Sequence, residues 1–215
     1  MRPSSRHLVI FAKAPRLGQV KSRLAAGIGA LAALRFHRET TERLLRRIAA
    51  DRRWKVWLAL TPRRALNAAH WAGVFARLDQ GRGDLGRRMG RVFRKLPPGP
   101  AVIVGSDIPE LSPRHVAVAF RALGRHDAVL GPAADGGYWL IGLRRRPRIP
   151  AGLFQGVRWS SAHALADTRA SLPRNSSVAL LETLEDVDDA ESHARWRARL
   201  RRRRRAFSDA PGAAA

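Results

Sequence analysis

Residues 101–113 read AVIVGSDIPELSP, and this stretch decides the fold. The run Ala101–Gly105 is short and apolar, which predicts a buried central strand. Asp107 follows at the end of that strand. Ser112 and Pro113 then form a typical helix start, with an N-cap residue before proline at the first helical position. A strand, a carboxylate and a helix in this order are typical of an α/β sheet.

The same alternation of strand and helix extends along the rest of the chain. Alternating elements predict βαβ units, a mostly parallel sheet and a three-layer α/β sandwich. The predicted strands are His7–Ala12, Trp54–Leu60, Phe75–Leu78, Ala101–Gly105, Ala128–Leu130, Tyr138–Leu143 and Val178–Leu181. Three helices are predicted at Leu31–Ala50, Ser161–Leu172 and Asp189–Arg205. A fourth is capped by Asp84 and has Leu85, Met89, Val92, Phe93 and Leu96 on one face. A fifth starts at Ser112-Pro113.

Composition excludes several classes of protein. The chain has 215 residues, of which 45% are hydrophobic, so it can form the core of one α/β domain. Cysteine is absent, which excludes disulfides, cysteine-bound zinc and thiol catalysis. No stretch is long and apolar enough for a membrane span, and the polar segment Met1–Arg6 is too short for a signal peptide. We therefore expect a cytoplasmic protein.

The net charge of +24 comes from 41 Lys and Arg residues against 17 Asp and Glu. Such a charge fits a binder of nucleic acid or another anionic surface. We favour compositional bias, because nearly all the cations are Arg. Lys occurs only four times, and Lys13 and Lys21 lie in one short segment. A Lys in this background indicates a position that needs a compact ammonium group.

The segment that follows the first strand predicts a phosphate site. Residues 13–23 read KAPRLGQVKSR, a glycine-containing loop with cations that opens a helix. Backbone N–H groups at such a turn bind anions, and Lys and Arg neutralise them. The segment matches neither the P-loop nor the GxGxxG pattern. The alternative is a solvated basic loop.

Two further segments place a carboxylate at a strand end, where ligands bind in open α/β sheets. Asp107 follows Ser106 at the end of the central strand, and Asp135 precedes Gly136 and Gly137. Mg²⁺ is held by one or two carboxylates together with phosphate oxygens and water. The pair therefore suits a metal-bridged diphosphate. The alternatives are a capping Asp in the first segment and a hairpin-like turn in the second.

Other motifs carry weaker signals. The stretch Gly81–Arg88 fits either a substrate or base loop, or a turn with a helix cap. The acidic stretch Asp186–Asp189 could add a metal ligand, although a helix-capping turn is the favoured interpretation. The seven His residues show no metal-binding spacing, and GxSxG is absent, which argues against an α/β-hydrolase.

The motifs together resemble a bacterial family of GT-A-like nucleotide-diphospho-sugar transferases. Some members are described as arsenosugar-type glycosyltransferases, and the family looks related to the phospholactate and molybdenum-cofactor guanylyltransferases. The resemblance runs from His7 to Asp189. It is carried by FAKAPRLGQVKSRLA (11–25), GRGDLGRRM (81–89), VIVGSDIPELS (102–112), AVLGPAADGGYWLIGL (128–143), VRWSS (157–161) and LEDVDD (184–189).

The resemblance implies a single GT-A, Rossmann-like domain, which we place over residues 7–195. The Arg run and the last residues of the sequence predict an Arg-rich helix end and a disordered tail at 196–215. The resemblance also implies roles for individual residues. Two departures from related enzymes are the absent LxxGxGxR loop and a single Asp in place of Asp-x-Asp. The implied site consists of Lys13, Gly18, Lys21, Arg23, Asp84 and Ser106 for the nucleotide, Asp107 and Asp135 for the metal, and Gly136, Gly137 and Tyr138 for the acceptor.

The leading hypothesis is a transferase dependent on Mg²⁺ or Mn²⁺. It moves a nucleotidyl group from an NTP, or a glycosyl group from a nucleotide-sugar, to a small acceptor, with Lys21, Arg23, Asp107 and Asp135 as catalytic residues. It involves neither membrane nor nucleic acid. One alternative is a non-catalytic polyanion- or RNA-binding protein that uses the arginines of 144–148 and 195–205. Another is a degenerate enzyme that retains only nucleotide binding.

Overall fold

The fold is built on one seven-stranded sheet. A computed structural model describes residues 5–68, 75–144 and 148–208. The strand order is β3-β2-β1-β4-β6-β5-β7, and only β6 runs antiparallel to its neighbours. The strands are β1 (His7–Lys13), β2 (Lys55–Thr61), β3 (Ala76–Asp79), β4 (Ala101–Gly105), β5 (Ala128–Pro132), β6 (Tyr138–Leu143) and β7 (Val178–Leu180).

Helices connect the strands and cover both faces of the sheet. A short 3₁₀ helix, Arg63–Asn67, follows β2. The α-helices are α1 (Ser22–Ile28), α2 (Ala30–Ala49), α3 (Leu85–Lys95), α4 (Pro113–Ala122), α5 (Ala164–Ala170) and α6 (Ala190–Ser208).

The side chains of β1 explain why the fold has three layers. Leu8 and Ile10 point into a core cluster that includes residues of α2 and α4. Val9 points into the opposite cluster, which includes residues of α3. Because alternate residues of a strand face opposite sides, a strand that is apolar throughout needs cover on both faces. The predicted three-layer sandwich with a mostly parallel sheet is confirmed.

The predicted helix faces are confirmed, and the remaining differences are local. Met89, Val92, Phe93 and Leu96 are buried on α3, and the carboxylate of Asp84 accepts a hydrogen bond from the Arg87 backbone N–H at 2.7 Å.

Most predicted elements differ from the structure by one to three residues at an end, as the strand at 75–78 and the helix at 161–172 do. The strand predicted at 75–78 lies one residue later, at Ala76–Asp79. The helix predicted at 161–172 covers only Ala164–Ala170. Ser161 hydrogen-bonds the Arg158 carbonyl and the His163 N–H, so it forms a turn instead of a helical residue.

The C-terminal helix α6 is continuous through the boundary suggested between residues 195 and 196. Its first turn packs closely on α1, because a Cβ added to Gly27 would lie 2.4 Å from the Cβ of Ala190. Residues 209–215 of the suggested tail lie outside the described part of the chain. The helix is therefore anchored to the domain at its N-terminal end.

Phe93 provides a test of the packing on the α3 side of the sheet. Its side chain is fully buried among the residues of that core cluster. We expect Phe93→Ala to lower the free energy of unfolding by about 3–5 kcal/mol in urea denaturation, because the substitution leaves a cavity. Arg94→Ala, one position along on the exposed face, should change it by less than about 0.5 kcal/mol. Equal effects of the two variants would contradict this account of the core.

Candidate active site

A cleft of about 720 Å³ lies at the carboxyl edge of the sheet. The loops after β1 and β4 reach this edge because parallel strands end on the same side. The loop before β6 reaches it because β6 runs in the opposite direction. Lys21, Asp107 and Asp135 therefore line one cleft although they are far apart in the sequence.

The segment 182–189 adds a fourth wall to this cleft. Its backbone follows the edge of the hairpin, with the Leu184 N–H donating to the Pro132 carbonyl at 3.1 Å. The Val187 N–H then donates to the Asp107 carbonyl at 3.3 Å. The side chain of Val187 is fully buried, while Asp186 and Asp188 on either side of it line the cleft. The alternation of a strand-like segment thus directs two carboxylates toward the site.

Lys21 lies at the centre of the polar cluster. Its ammonium is 3.0 Å from Oδ2 of Asp107 and 3.4 Å from Oδ1 of Asp188, and its side chain is only 6% exposed. Arg23 reaches the other oxygen of Asp188 at 3.5 Å but is 74% exposed. A nearly buried Lys that pairs with two carboxylates is held in place more firmly than a solvated cation.

The charges in this cluster stabilise each other. Burial opposes the charge on Lys21, but the attraction of Asp107 and Asp188 outweighs it, so the pKa of Lys21 is raised. Burial also opposes ionisation of Asp107, yet the neighbouring Lys21 ammonium holds the pKa of that carboxyl below its usual value. Both groups are therefore charged at neutral pH.

Gly105 allows Asp107 to take its position. A Cβ at residue 105 would lie 2.7 Å from Oδ1 of Asp107, which is too close for a real contact. The strand must therefore end in glycine for the carboxylate to fold back over it. This explains the Gly-Ser-Asp sequence that the central strand carries.

Asp135 is fixed by its own loop. Its Oδ1 accepts a hydrogen bond from the Gly137 N–H at 2.9 Å. Gly136 has a φ of +83°, and a Cβ there would lie 2.3 Å from the carbonyl oxygen of Ala162. Glycine is required at 136 both by the backbone conformation and by this close approach. The loop thus holds Asp135 at the cleft and ties the hairpin to residue 162.

Asp186 is the carboxyl group in the cleft whose ionised form is least stabilised. Burial and the nearby charges of Asp107 and Asp135 raise its pKa to about 6. Like charges at close range make ionisation of the second carboxyl unfavourable. A cation or a proton in the cleft would relieve this repulsion.

The opposite end of the cleft is formed by Gln80 and Arg88. The Gln80 side chain is buried and donates to the carbonyls of Ala12 and Ala59 at 3.2 and 2.8 Å. Its oxygen accepts a hydrogen bond from Nη1 of Arg88 at 3.1 Å. Burial lowers the pKa of Arg88, and its buried Nε has no hydrogen-bond partner within the described ranges. Arg88 is thus positioned with donors to spare.

Aromatic rings close the side of the cleft next to Asp135. The rings of Tyr138 and Trp159 meet edge to face with their centroids 6.5 Å apart. The Tyr138 hydroxyl lies 3.3 Å from Oγ1 of Thr168, and burial raises the pKa of the phenol. Tyr138 therefore stays neutral and contributes to the wall of the cleft rather than to proton transfer.

The structure brings most of the residues proposed from the sequence into one place. Gly18, Asp84 and Gly136 do not line the cleft, although Asp84 caps α3 and Gly136 shapes the Asp135 loop. The proposed residues that do line it are Lys13, Lys21, Arg23, Ser106, Asp107, Asp135, Gly137 and Tyr138.

Sequence reasoning undervalued several other residues. The acidic stretch 186–189 was assigned to a helix cap. Asp189 does accept a hydrogen bond from the Ser192 N–H, but Asp186 and Asp188 face the cleft. The signal was the pair of acidic residues around Val187. Trp159 also lines the cleft and lies in the VRWSS motif, to which no site role was given. His37 and Gln80 gave no signal, because nothing in their local sequence distinguishes them from core residues.

The carboxylates suit a divalent metal that arrives with phosphate. Within residues 5–68, 75–144 and 148–208, no three His, Asp or Glu side chains are grouped closely enough to hold a metal by themselves. Mg²⁺ usually needs only one or two carboxylates when phosphate oxygens and water complete its shell. Asp107 and Asp135 meet that requirement, while Lys21 already neutralises one oxygen of Asp107.

A family profile described as "Uncharacterized protein conserved in bacteria (DUF2064)" matches residues 44–161, more than half of the chain. The chain belongs to this family. The matched region contains the Gly81–Arg88 loop, Asp107 and Asp135. Among proteins of curated function, none matches the chain.

Solved structures place the chain among GT-A-like proteins. A Desulfovibrio desulfuricans G20 protein, provisionally named a nucleotide-diphospho-sugar transferase, is 28% identical with a TM-score of 0.76, covering 86% of this chain and 82% of its own. The 4-diphosphocytidyl-2C-methyl-D-erythritol synthase of Anaerococcus prevotii DSM 20548 is 12% identical with a TM-score of 0.57, covering 92% and 98%. Rv0371c of Mycobacterium tuberculosis H37Rv, solved with manganese, is 15% identical with a TM-score of 0.55, covering 89% and 97%.

These similarities confirm the GT-A-like family assignment and the fold class. The second and third structures share only the fold with this chain, because their sequence identity is low. The chain thus has the fold of nucleotidyl- and sugar-transferring enzymes.

Across the described residues, no helix has the length and apolar character that a bilayer span requires.

Asp186 offers a test of the electrostatics of the cleft. A pKa raised from 3.8 to about 6 means that the folded protein holds this proton more tightly than the unfolded chain. Stability therefore falls as pH rises from about 4 to about 6. The shift corresponds to about 3 kcal/mol, which solvent screening reduces to about 1–2 kcal/mol. We expect Asp186→Asn to raise the unfolding free energy by that amount at pH 7.5 and not at pH 4.

The matched control is Asp188→Asn, two residues away. That change removes the ion pairs with Lys21 and Arg23, so it should lower stability at pH 7.5. Chemical denaturation at both pH values measures all three proteins. An Asp186→Asn variant that is no more stable than wild type at pH 7.5 would show that the repulsion is absent.

Proposed function

We propose that this protein is a divalent-metal-dependent transferase whose donor contains a nucleoside diphosphate unit. The carrying observation is the convergence of Lys21, Asp107, Asp135 and Asp186 in one cleft at the carboxyl edge of the sheet. Cations and carboxylates in alternation suit a metal-bridged diphosphate. The similarity to a provisionally named nucleotide-diphospho-sugar transferase supports the same donor class.

Each part of the cleft has a role in this proposal. The phosphates are neutralised by Lys13, Lys21 and Arg23. Two of these side chains, Lys13 and Arg23, are exposed and free to move. Asp107 and Asp135 would hold a Mg²⁺ or Mn²⁺ ion, which supplies charge compensation to the phosphate oxygens when bound. The donors of Arg88 at the other end of the cleft suit the nucleoside portion.

The acceptor is a small molecule next to Gly137, Tyr138 and Trp159. Its oxygen forms a bond with the α-phosphorus of an NTP and pyrophosphate leaves, or with the anomeric carbon of a nucleotide-sugar and the nucleoside diphosphate leaves. Asp186 lines the cleft beside Asp107 and Asp135, and its carboxylate is suited to accept the proton of the acceptor. Catalysis rests on positioning and charge compensation and needs no covalent intermediate.

The donor can be identified by thermal shift with NTPs, NDPs and nucleotide-sugars, each with and without Mn²⁺. A bound ligand raises the melting temperature according to its affinity. A larger rise in melting temperature with an NTP than with the corresponding NDP supports nucleotidyl transfer. The largest rise with a nucleotide-sugar supports glycosyl transfer. Shifts that ignore the metal and vanish with salt would overturn the proposal.

Asp107→Asn tests the metal-binding role. We expect the variant to lose at least about 100-fold in metal-dependent turnover, equivalent to about 2.7 kcal/mol of transition-state stabilisation, because a neutral amide binds the cation weakly. Product formation from the donor identified by thermal shift measures the effect. Glu39→Gln removes one negative charge from the exposed face of α2 and should keep full activity. Unchanged turnover in Asp107→Asn would remove this residue from the mechanism.

Lys21→Met tests whether the Lys21 ammonium competes with the metal. The Lys21 ammonium lies 3.0 Å from Oδ2 of Asp107, so in the absence of nucleotide it repels a metal cation at that carboxylate. We expect the variant to bind Mn²⁺ alone at least about tenfold more tightly than wild type in calorimetric titration. Lys13→Met makes the same change in an exposed residue of the same loop and should leave Mn²⁺ affinity unchanged. Equal affinities in wild type and Lys21→Met would refute the competition.

A further inference from the structure

The C-terminal helix α6 carries two groups of arginines that differ in their surroundings. Arg195 pairs with Glu185 and Glu191, and Arg199 pairs with Glu110 and Glu185. These two arginines fasten the helix to the domain. They are therefore not available to an external partner, although both fall in the Arg-rich run.

The second group forms a basic stripe, which we define as Arg197, Arg201, Arg202 and Arg205. All four are exposed, and within the described ranges none of them forms an ion pair with Asp or Glu. Arg197, Arg201 and Arg205 are spaced four residues apart and so lie along one side of the helix. The four line one shallow groove of about 550 Å³ between α6 and the end of α1.

The floor of this groove consists of small side chains. Ala190, Ala194 and Ala198 lie between the arginines, with Ile28 of α1 and His193 at the side. Peripheral membrane helices place Trp, Phe or Leu beside their cations, and the lining of this groove has none of these. A row of cations beside small side chains favours a single phosphodiester strand over a bilayer.

The dimensions of the stripe agree with such a strand. Eight helical residues separate Arg197 from Arg205, a distance of about 12 Å. A single strand of a few nucleotides is long enough to place phosphates beside these arginines. The stripe begins about 10 Å along the helix from Ala190, which comes two residues after the cleft carboxylate Asp188. The surface is thus separate from the cleft.

We propose that the basic stripe of α6 binds single-stranded nucleic acid through its phosphates, independently of sequence. The phosphates of the partner would contact the arginine side chains, because the described lining of the groove offers no Trp, Tyr or Phe on which bases could stack. This binding is an addition to the proposed transferase activity and does not depend on it. The sequence also indicated the arginines of 144–148 as a binding segment. Residues 145–147 of that segment lie outside the described part of the chain.

Salt dependence separates the stripe from the general positive charge of the protein. Binding of fluorescein-labelled U30 and dT30 is measured by anisotropy between 50 and 200 mM KCl, in the presence of EDTA. The first variant is R197Q/R201Q/R202Q/R205Q. The control, R121Q/R125Q/R169Q/R174Q, removes the same charge from exposed arginines elsewhere on the domain.

We expect the slope of log K against log salt to become shallower by about 2.8 in the stripe variant, from about 0.7 per lost phosphate contact. Wild type then loses about 50-fold more affinity than this variant over the fourfold rise in salt. The control should keep the wild-type slope. If the slope becomes equally shallow in both variants, the binding comes from the general positive charge of the protein, which would overturn the proposal. Absence of binding by wild type would also overturn it.

Two further measurements complete the test. Vesicles with 30% phosphatidylserine are offered to the same proteins, and stripe-dependent binding to vesicles without binding to the oligonucleotides would overturn the assignment. The melting temperature of the stripe variant without ligand should match that of wild type, which shows that the variant is folded. If the transferase proposal fails, the oligonucleotide result still decides this one.

Discussion

The ion pairs of Lys21 are the constraint on which the site depends. One ammonium joins Asp107, which follows the central strand, to Asp188, which comes from the last connecting segment. Without that cation, Asp107, Asp135, Asp186 and Asp188 would line the same cleft with no buried positive charge between them. Repulsion among carboxylates at such a site costs several kcal/mol unless protons or cations are taken up. Lys21 therefore neutralises part of this charge before any ligand arrives, and Asp186 carries the repulsion that remains.

Such an arrangement fits a site that receives a metal together with a polyanionic ligand. Phosphate groups offer Lys21 a second set of partners, and release of Asp107 from Lys21 frees its oxygen for a cation. Proteins that hold Mg²⁺ mainly through substrate phosphates need few carboxylates of their own.

How much of this could be read from the sequence depends on the kind of signal. The central strand, Asp107 and the capped helix α3 were predictable because apolar periodicity and capping chemistry are local. Lys21 was singled out by type, since Lys is rare in this Arg-rich chain. Its pairing with Asp188, 167 residues away, has no local signature. The same holds for Gln80, whose burial depends on the backbone carbonyls of two different strands. The high Arg content also concealed a distinction that only the structure makes, between the paired and unpaired arginines of α6.

The segment 182–189 has a consequence for the order in which the protein is made. It contributes Asp186 and Asp188 to the cleft and leads straight into α6, which packs back on α1 near the N-terminus. Every other wall of the cleft is encoded before residue 165. Strands β1–β6 are therefore made well before the two last carboxylates. A nascent chain at that stage has Lys21 facing Asp107 alone, so the cleft reaches its final charge balance only once residues 186–188 have been added and have packed against it.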